Sequence, residues 1–331
     1  MGGNRDTSAP AKDGTRTRRV LRLCRRLLLY LVVAFVVFNL VGIHCATHME
    51  RIQSDLVPLD FGMRAEDVAK RTEDGLTLCA GFVPGRGKAP AVVFLHGLGT
   101  VKGDLLPMAQ PLHKRGYALL FFDFRACGES EGTHSSFGHH EEKDLEAALA
   151  FLRSRTDVDA DRLGLVGVSM GSAVACRVGA RDPRVKAIVL DSTFSSIEDV
   201  IANIYRKLHV PPFPLAKLSK WILETWLWAD VDATAPVAEA GKIQPRGLLI
   251  VSGGQDPIMR PATARRLFDA AGEPKELWRV PEAGHVGAYE ARTAEYERKL
   301  GAFFGRFLPV DEAKQIPPGE ERSAHRPQPA P

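Results

Sequence analysis

The sequence predicts an α/β protein with a mostly parallel sheet flanked by helices and a helical cap insertion. Three observations predict it. Continuous apolar runs of strand length, such as "AVVFLH" (Ala91–His96) and "ALLFFDF" (Ala118–Phe124), have the composition of strands buried on both faces. These runs alternate with segments of helical period, as crossovers between parallel strands require. A third run, "LGLVGV", leads into Gly167-Val168-Ser169-Met170-Gly171 and then a small-residue stretch, which reads as a tight strand-to-helix turn.

Taken from the N-terminus, residues 1–17 are polar and rich in Gly, Ser, Thr and Pro, and read as disordered within a basic tail, 1–26. Leu27–Ile43, "LLLYLVVAFVVFNLVGI", has no charge and one amide, Asn39, at the short limit of the roughly 17–25 residues that span a bilayer. His44-Cys45-Ala46-Thr47-His48 is a poor cleavage site, so an uncleaved membrane anchor is expected in preference to a cleaved signal or a buried core helix. Arg18, Arg19, Arg22, Arg25 and Arg26 just before the run place the N-terminus on the cytoplasmic side and residues after about 45 outside.

The body is expected over 50–310. After the first buried strand, Leu105–Arg115 reads as a helix ending before Gly116, and Ala118–Phe124 as the second strand. Glu141–Arg155 repeats Leu145, Ala148, Leu149 and Leu152 at helical spacing. Then come "LGLVGV", the helix Ser172–Arg181, and the fourth strand, Val185–Asp191. Residues 195–240 contain no convincing strand but do contain "VPPFP" and Trp221, Trp226 and Trp228. They are expected to form the helical cap over the strand ends, lining an acyl or aromatic pocket or else packing as plain helix on sheet. Gly247–Gly253 is the fifth strand, Thr263–Ala271 a helix, Glu276–Pro281 the sixth strand, and Ala291–Phe307 the last helix. The tail 311–331 has five prolines and no apolar period, and reads as disordered.

Composition narrows the function classes. The 331 residues are 45% hydrophobic and 25% charged, an ordinary globular balance, with net charge +4. Removing the eight basic and two acidic residues of positions 1–26 leaves 36 basic and 38 acidic residues, so no basic face for nucleic acid remains. The five cysteines, Cys24, Cys45, Cys79, Cys127 and Cys176, are scattered without a C-x-x-C pair, which argues against a disulfide framework or a zinc site. His139-His140 with Glu141 and Glu142 precede a helix and read as its solvated start.

The lone hydroxyl between Gly167 and Gly171 is the strongest chemical signal. The glycines let strand and helix approach, and the turn lifts Ser169 clear of the sheet at the positive end of the following helix. A serine hydroxyl is a weak nucleophile unless a base, oriented by a third group, takes its proton. Asp256 follows the fifth strand in "SGGQDPIM", and His285 follows the sixth in "PEAGHVG". The order Ser169, Asp256, His285 places all three at the carboxyl edge of a parallel sheet. Asp191, at the end of the fourth strand, is the rival acid. A tetrahedral intermediate needs two N–H donors. Met170 and Leu98, the latter in "LHGLG" after the first strand, are the candidates. His96 lies on the wrong loop for catalysis and reads as a turn brace.

Together, His96-Gly97-Leu98-Gly99, Asp123-Phe124-Arg125-Ala126-Cys127-Gly128-Glu129-Ser130, the Gly167–Gly171 turn, Asp256 and Glu282-Ala283-Gly284-His285 resemble the α/β-hydrolase superfamily. More narrowly they are similar to its serine aminopeptidase/lysophospholipase-like branch, over about 75–305. "DFRACGES" departs from that branch's D-x-R-G-x-G-x-S turn at Ala126, where glycine is usual. The resemblance implies a Ser-His-Asp triad with no metal and no cofactor, acting on a small-molecule acyl substrate, a lipid-like one included. An ester or thioester is the preferred substrate class. A peptidase is the alternative, with Glu224 and Glu239 as candidates for binding a free amine, and a non-catalytic binding protein is the third reading.

Overall fold

Among the residues that the computed structural model describes, 13–232 and 235–311, eight strands form one sheet in the order β1-β2-β4-β3-β5-β6-β7-β8. They are β1 (Glu66–Arg71), β2 (Thr77–Val83), β3 (Ala89–Leu95), β4 (Ala118–Phe122), β5 (Val158–Val168), β6 (Val185–Asp191), β7 (Gly247–Gly253) and β8 (Lys275–Val280). Strands β3 to β8 pair in parallel. The chain passes from β3 to β4 on one side and then returns to place β5 on the other side of β3. The loops after β3 and β5 therefore diverge, opening a crevice at the carboxyl edge where such sheets bind ligands.

The pleat sorts each strand between two cores. Ala91, Val93 and Leu95 enter one, with Leu145, Leu149 and Leu152 of α3 (Glu141–Ser154), Val174 and Cys176 of α4 (Met170–Arg181) and Leu267 of α8 (Pro261–Ala270). Val92 and Phe94 enter the other, with Leu106 and Leu112 of α2 (Leu106–Lys114) and Leu300 and Phe304 of α10 (Thr293–Phe307). Burial on both faces explains the unbroken apolar runs, and each fully buried Val, Leu or Phe contributes about 1.5–3 kcal/mol.

Some expectations need correction. Strands β1 and β2 form an antiparallel hairpin at one edge of the sheet, a region to which the sequence assigned no strand. As an edge strand, "EDVAKR" is charged and half exposed, so it has no apolar run to read. The expected helix 291–307 is split at Arg292, whose backbone leaves helical angles, into α9 (Ala288–Ala291) and α10. The third apolar strand begins earlier than "LGLVGV", at Val158.

The N-terminal unit is one helix, α1 (Asp13–Thr47), 35 residues long. It includes residues 13–26 of the tail expected to be disordered; Arg18, Arg19, Arg22, Arg25 and Arg26 with Leu21 and Leu23 are good helix formers and extend the helix begun by the apolar run. Residues 1–12 and 312–331, both expected to be disordered, lie outside the described residues. The helix is long and apolar enough to cross a membrane. Its one amide in the apolar run, Asn39, donates to the Phe35 carbonyl at 2.9 Å, four residues back.

The turn after β4 is the main polar brace of the body. Asp123 accepts from Lys102 Nζ at 2.6 Å and from the Lys102 N–H at 2.8 Å. Arg125 donates to Asp144 of α3 through Nη2 at 2.6 Å and Nε at 3.0 Å, and to Asp74 of the β1–β2 hairpin through Nη1 at 2.8 Å. The guanidinium thereby joins three elements, and Asp144 is fully buried. Arg125→Ala is expected to lower the unfolding free energy by about 3–5 kcal/mol, because it leaves a buried carboxylate without its partner. Urea unfolding measures this; an unchanged midpoint would contradict it.

Candidate active site

The turn that follows β5 sets the site. Ser169 has φ 52° and ψ −116°, a strained conformation for a residue with a side chain, and its N–H donates to the Asp191 carbonyl at 2.9 Å. A Cβ on Gly167 would strike the backbone of Gly171 and Ser172, and one on Gly171 would strike the Leu95 and His96 carbonyls. Those atoms belong to the central strand and cannot yield cheaply. Gly171→Ala should therefore cost at least about 2 kcal/mol of stability and displace Ser169. A denaturation midpoint equal to that of the parent would show that the crossing is looser.

Three loops at the carboxyl edge then meet. Ser169 Oγ lies 3.1 Å from His285 Nε2, and His285 Nδ1 lies 2.7 Å from Asp256 Oδ2. Asp256 is buried, and its other oxygen accepts from the Ile258 and Met259 N–H groups at 2.9 and 2.8 Å. The carboxylate is thus fixed before it orients the imidazole. With Nδ1–H donated to Asp256, the imidazole presents Nε2 as an acceptor toward the Ser169 hydroxyl.

The loop after β3 lies against the same serine. A Cβ on Gly97 would come to 3.2 Å from the Ser169 Cβ, which places Leu98 beside the turn that carries Ser169. Met170 opens α4, so its N–H belongs to the first turn, which an α-helix leaves unpaired internally. His96 braces this loop: its Nδ1 pairs with the Gly97 carbonyl at 2.7 Å, and its Nε2 accepts from the Phe124 N–H at 2.9 Å. It is fully buried, and burial pushes its pKa below the usual histidine range.

Residues 90–224 match the family model described as alpha/beta hydrolase fold. The esterase Pf2001 of Pyrococcus furiosus has the same architecture, with a TM-score of 0.66 and 25% identity over 78% of this chain and 99% of the esterase. The chain belongs to the α/β-hydrolase family. Among relatives by sequence, an uncharacterized protein of Mycobacterium tuberculosis is 32% identical over 221 residues, 66% of this chain and 72% of that protein. The thiohydrolase aneE of Aspergillus aculeatus is 35% identical over 146 residues, 41% of this chain and 46% of that protein.

The remaining candidates are placed differently in this α/β hydrolase. Asp191 makes no bond to His285. It is fully buried, accepting from Tyr296 Oη at 2.9 Å and from Ser192 Oγ at 3.0 Å, and burial pushes its carboxyl up to about 6. Ser192 Oγ in turn accepts from the Val286 N–H at 3.0 Å, bracing the loop that carries His285. Ser192 and Val286 both have positive φ, 51° and 60°. Sequence reasoning missed this brace because its members are 94 and 105 positions apart. Glu141 is not at a solvated helix start. It is fully buried and accepts from Ser135 Oγ, Ser136 Oγ and the Gly138 N–H at 2.6–2.9 Å. Four donors close around the carboxylate once the Ser136 N–H, at 2.9 Å, is included.

The cap consists of α5 (Ile197–Lys207), α6 (Leu215–Leu227) and the short α7 (Pro236–Glu239). Asn203 of α5 donates to the Ile258 carbonyl at 2.7 Å, which seats the cap over the Asp256 loop. Its tryptophans do not pack inward. The helical period of α6 turns Ala216, Ser219, Ile222, Leu223 and Leu227 inward, and leaves Trp221, Trp226 and Trp228 exposed. Glu224 and Glu239 are not brought together: Glu224 pairs with Lys220 at 3.6 Å, and Glu239 with Lys242 at 2.9 Å. Among the described residues, Glu224, Asp230 and Asp232 bring carboxylates near one another, but Lys220 pairs with two of them.

Proposed function

We propose that the protein is a membrane-anchored serine hydrolase that cleaves a carboxylic ester or thioester through an acyl-enzyme. The hydrogen-bonded series Asp256–His285–Ser169, built on the strained turn after β5, is the observation that carries this reading. Ser169 Oγ attacks the acyl carbon while His285 Nε2 takes its proton, and the carbonyl electrons move onto oxygen. The N–H groups of Leu98 and Met170 stabilise that oxyanion. As the intermediate collapses, His285 returns the proton to the departing alcohol or thiol. Water then repeats the sequence on the acyl-enzyme, with His285 again the base. Asp256 holds the imidazole in the required tautomer and stabilises its charged form.

The names of the Pyrococcus esterase and the Aspergillus thiohydrolase favour an ester or thioester over an amide. The separate pairing of Glu224 and Glu239 also weighs against an amine-binding peptidase pocket built from them. A series of acyl esters and thioesters against aminoacyl amides tests the preference. Esters or thioesters should exceed amides in kcat/KM by about 100-fold or more, a ratio a built pocket can reach. A preference for aminoacyl amides would make the protein a peptidase.

The anchor reading rests on α1, with residues 27–43 in the bilayer, the N-terminus cytoplasmic and the body outside. Full-length protein should remain in membranes after a high-salt wash that releases electrostatically held chains. Protease added to spheroplasts of an expressing bacterium should digest the body and spare the arginine-rich end. A protected body would reverse the orientation, and a soluble mature form beginning near residue 47 would show a cleaved signal.

A further inference from the structure

We propose that the outer face of the cap docks on the surface of a phospholipid bilayer, so that the site opens toward the membrane that holds the anchor. On α6, Leu218, Trp221 and Thr225 recur at spacings of three and four residues and share one face, opposite the buried one, and exposed Trp228 caps the helix. Trp221 is 65% and Trp228 94% exposed, and Phe213, which precedes the helix, is 75% exposed. Leu208, at the end of α5, is exposed as well. Soluble proteins rarely leave so many large apolar side chains together in water. Arg206, Lys207 and Lys217 are also exposed on these two helices, and the Lys217 ammonium lies 6.0 Å from the Phe213 ring. Tryptophan and apolar residues interleaved with basic ones suit the headgroup layer, where the rings enter the acyl boundary and the cations meet phosphate. Of the three acidic residues near Trp228, Glu224 and Asp232 share Lys220 and Asp230 is exposed, so the cations that meet phosphate are Arg206, Lys207 and Lys217.

The chain's own connectivity selects a bilayer over other apolar partners; this step rests on the anchor reading above. Thr47 lies four residue steps after Ile43, the end of the apolar run, and even fully extended these would span only about 14 Å. Thr47 is fixed to the carboxyl edge of the body, where its carbonyl accepts from the Ser135 N–H at 2.8 Å. Met49 lies over Gly99, where a Cβ would strike its side chain. Arg51 donates to the carbonyls of Gly128 and Gly132 at 3.0 and 2.8 Å, and also to that of Ser130. The segment therefore enters the body on the edge that carries Ser169 and the cap. Residues 27–43 in a bilayer therefore keep that edge of the body on a short tether to the membrane surface.

The test uses full-length protein in phosphatidylcholine vesicles whose acyl chains carry bromine, a contact quencher of indole fluorescence. The chain has four tryptophans, Trp221, Trp226, Trp228 and Trp278, none of them in residues 27–43, so the anchor adds no signal. Bromine should remove roughly half of the emission if two of the four rings reach the depth of about 5–10 Å that interfacial helices occupy. The double variant Trp221→Phe, Trp228→Phe keeps the apolar face and should lose the quenching. Protein that stays with the vesicles through a high-salt wash but is not quenched overturns the docking and leaves the anchor standing. Quenching that persists in the double variant overturns it too, as does a dimer that buries the rings away from lipid. Release by the wash removes the anchor and the docking together. Wild-type quenching decides the matter alone if the variant does not fold.

Discussion

Ser169→Ala is expected to remove ester turnover, with a fall in kcat of about 10³-fold or more, while the fold remains in place. The loss follows from geometry. Ser169 Oγ is the hydroxyl that faces His285 Nε2, and nothing else on the turn can take its place. The fold should survive because alanine tolerates the strained turn as well as serine does. Its N–H still reaches the Asp191 carbonyl. Turnover and the urea midpoint, measured on one preparation, check both halves. Substantial turnover by the variant would remove Ser169 from the chemistry, and a collapsed midpoint would make the loss uninformative about mechanism.

Asp256→Asn should be comparably damaging, at about 10⁴-fold in kcat, and far worse than Asp191→Asn. Asp256 accepts from the imidazole and from two backbone N–H groups. An amide there offers a donor where His285 requires an acceptor, and turns the ring to the wrong tautomer. Asp191 bonds Ser192 and Tyr296 instead. An asparagine oxygen can still accept from one of them, so the histidine loop shifts little, and a loss of roughly tenfold or less is expected for an indirect brace. Parallel kcat measurements on the two variants decide the assignment. The reverse ranking would move the acid to the end of β6.

The parallel strands were legible because burial on both faces leaves an apolar run that needs no alternation. Ala91–His96 and Gly247–Gly253 are readable for that reason. Ser169, Asp256 and His285 could be picked out because each sits in a glycine-bearing loop after such a run. A parallel sheet gathers those loops on one edge whatever their separation in sequence. Strand β1 was not legible, because an edge strand that alternates charged with half-buried residues looks like a loop; β2, "TLCAGFV", is an apolar, mostly buried strand that the sequence reasoning missed. The direction of the cap's tryptophans could not be read either. Helix α6 is apolar on two faces, and composition alone does not say which one meets the body. The Asp191–Ser192–Val286 brace carries no local signal at all. It exists only once β6 and the loop after β8 are neighbours, and its backbone strain at Ser192 and Val286 becomes visible only in three dimensions. The buried Glu141 shows the same limit: two glutamates opening a helix read as solvent-facing, yet the loop before α3 folds back to enclose one of them.

The proposed chemistry requires that Ser169 be a nucleophile activated by His285. A fluorophosphonate probe, which bonds covalently to an activated serine, tests it most directly when the adduct is mapped by peptide mass spectrometry. One adduct is expected on the peptide containing Ser169, formed in the parent, absent from Ser169→Ala and strongly slowed in His285→Ala. An adduct at another serine, or labelling of Ser169 at the parent rate after His285 is removed, would contradict it.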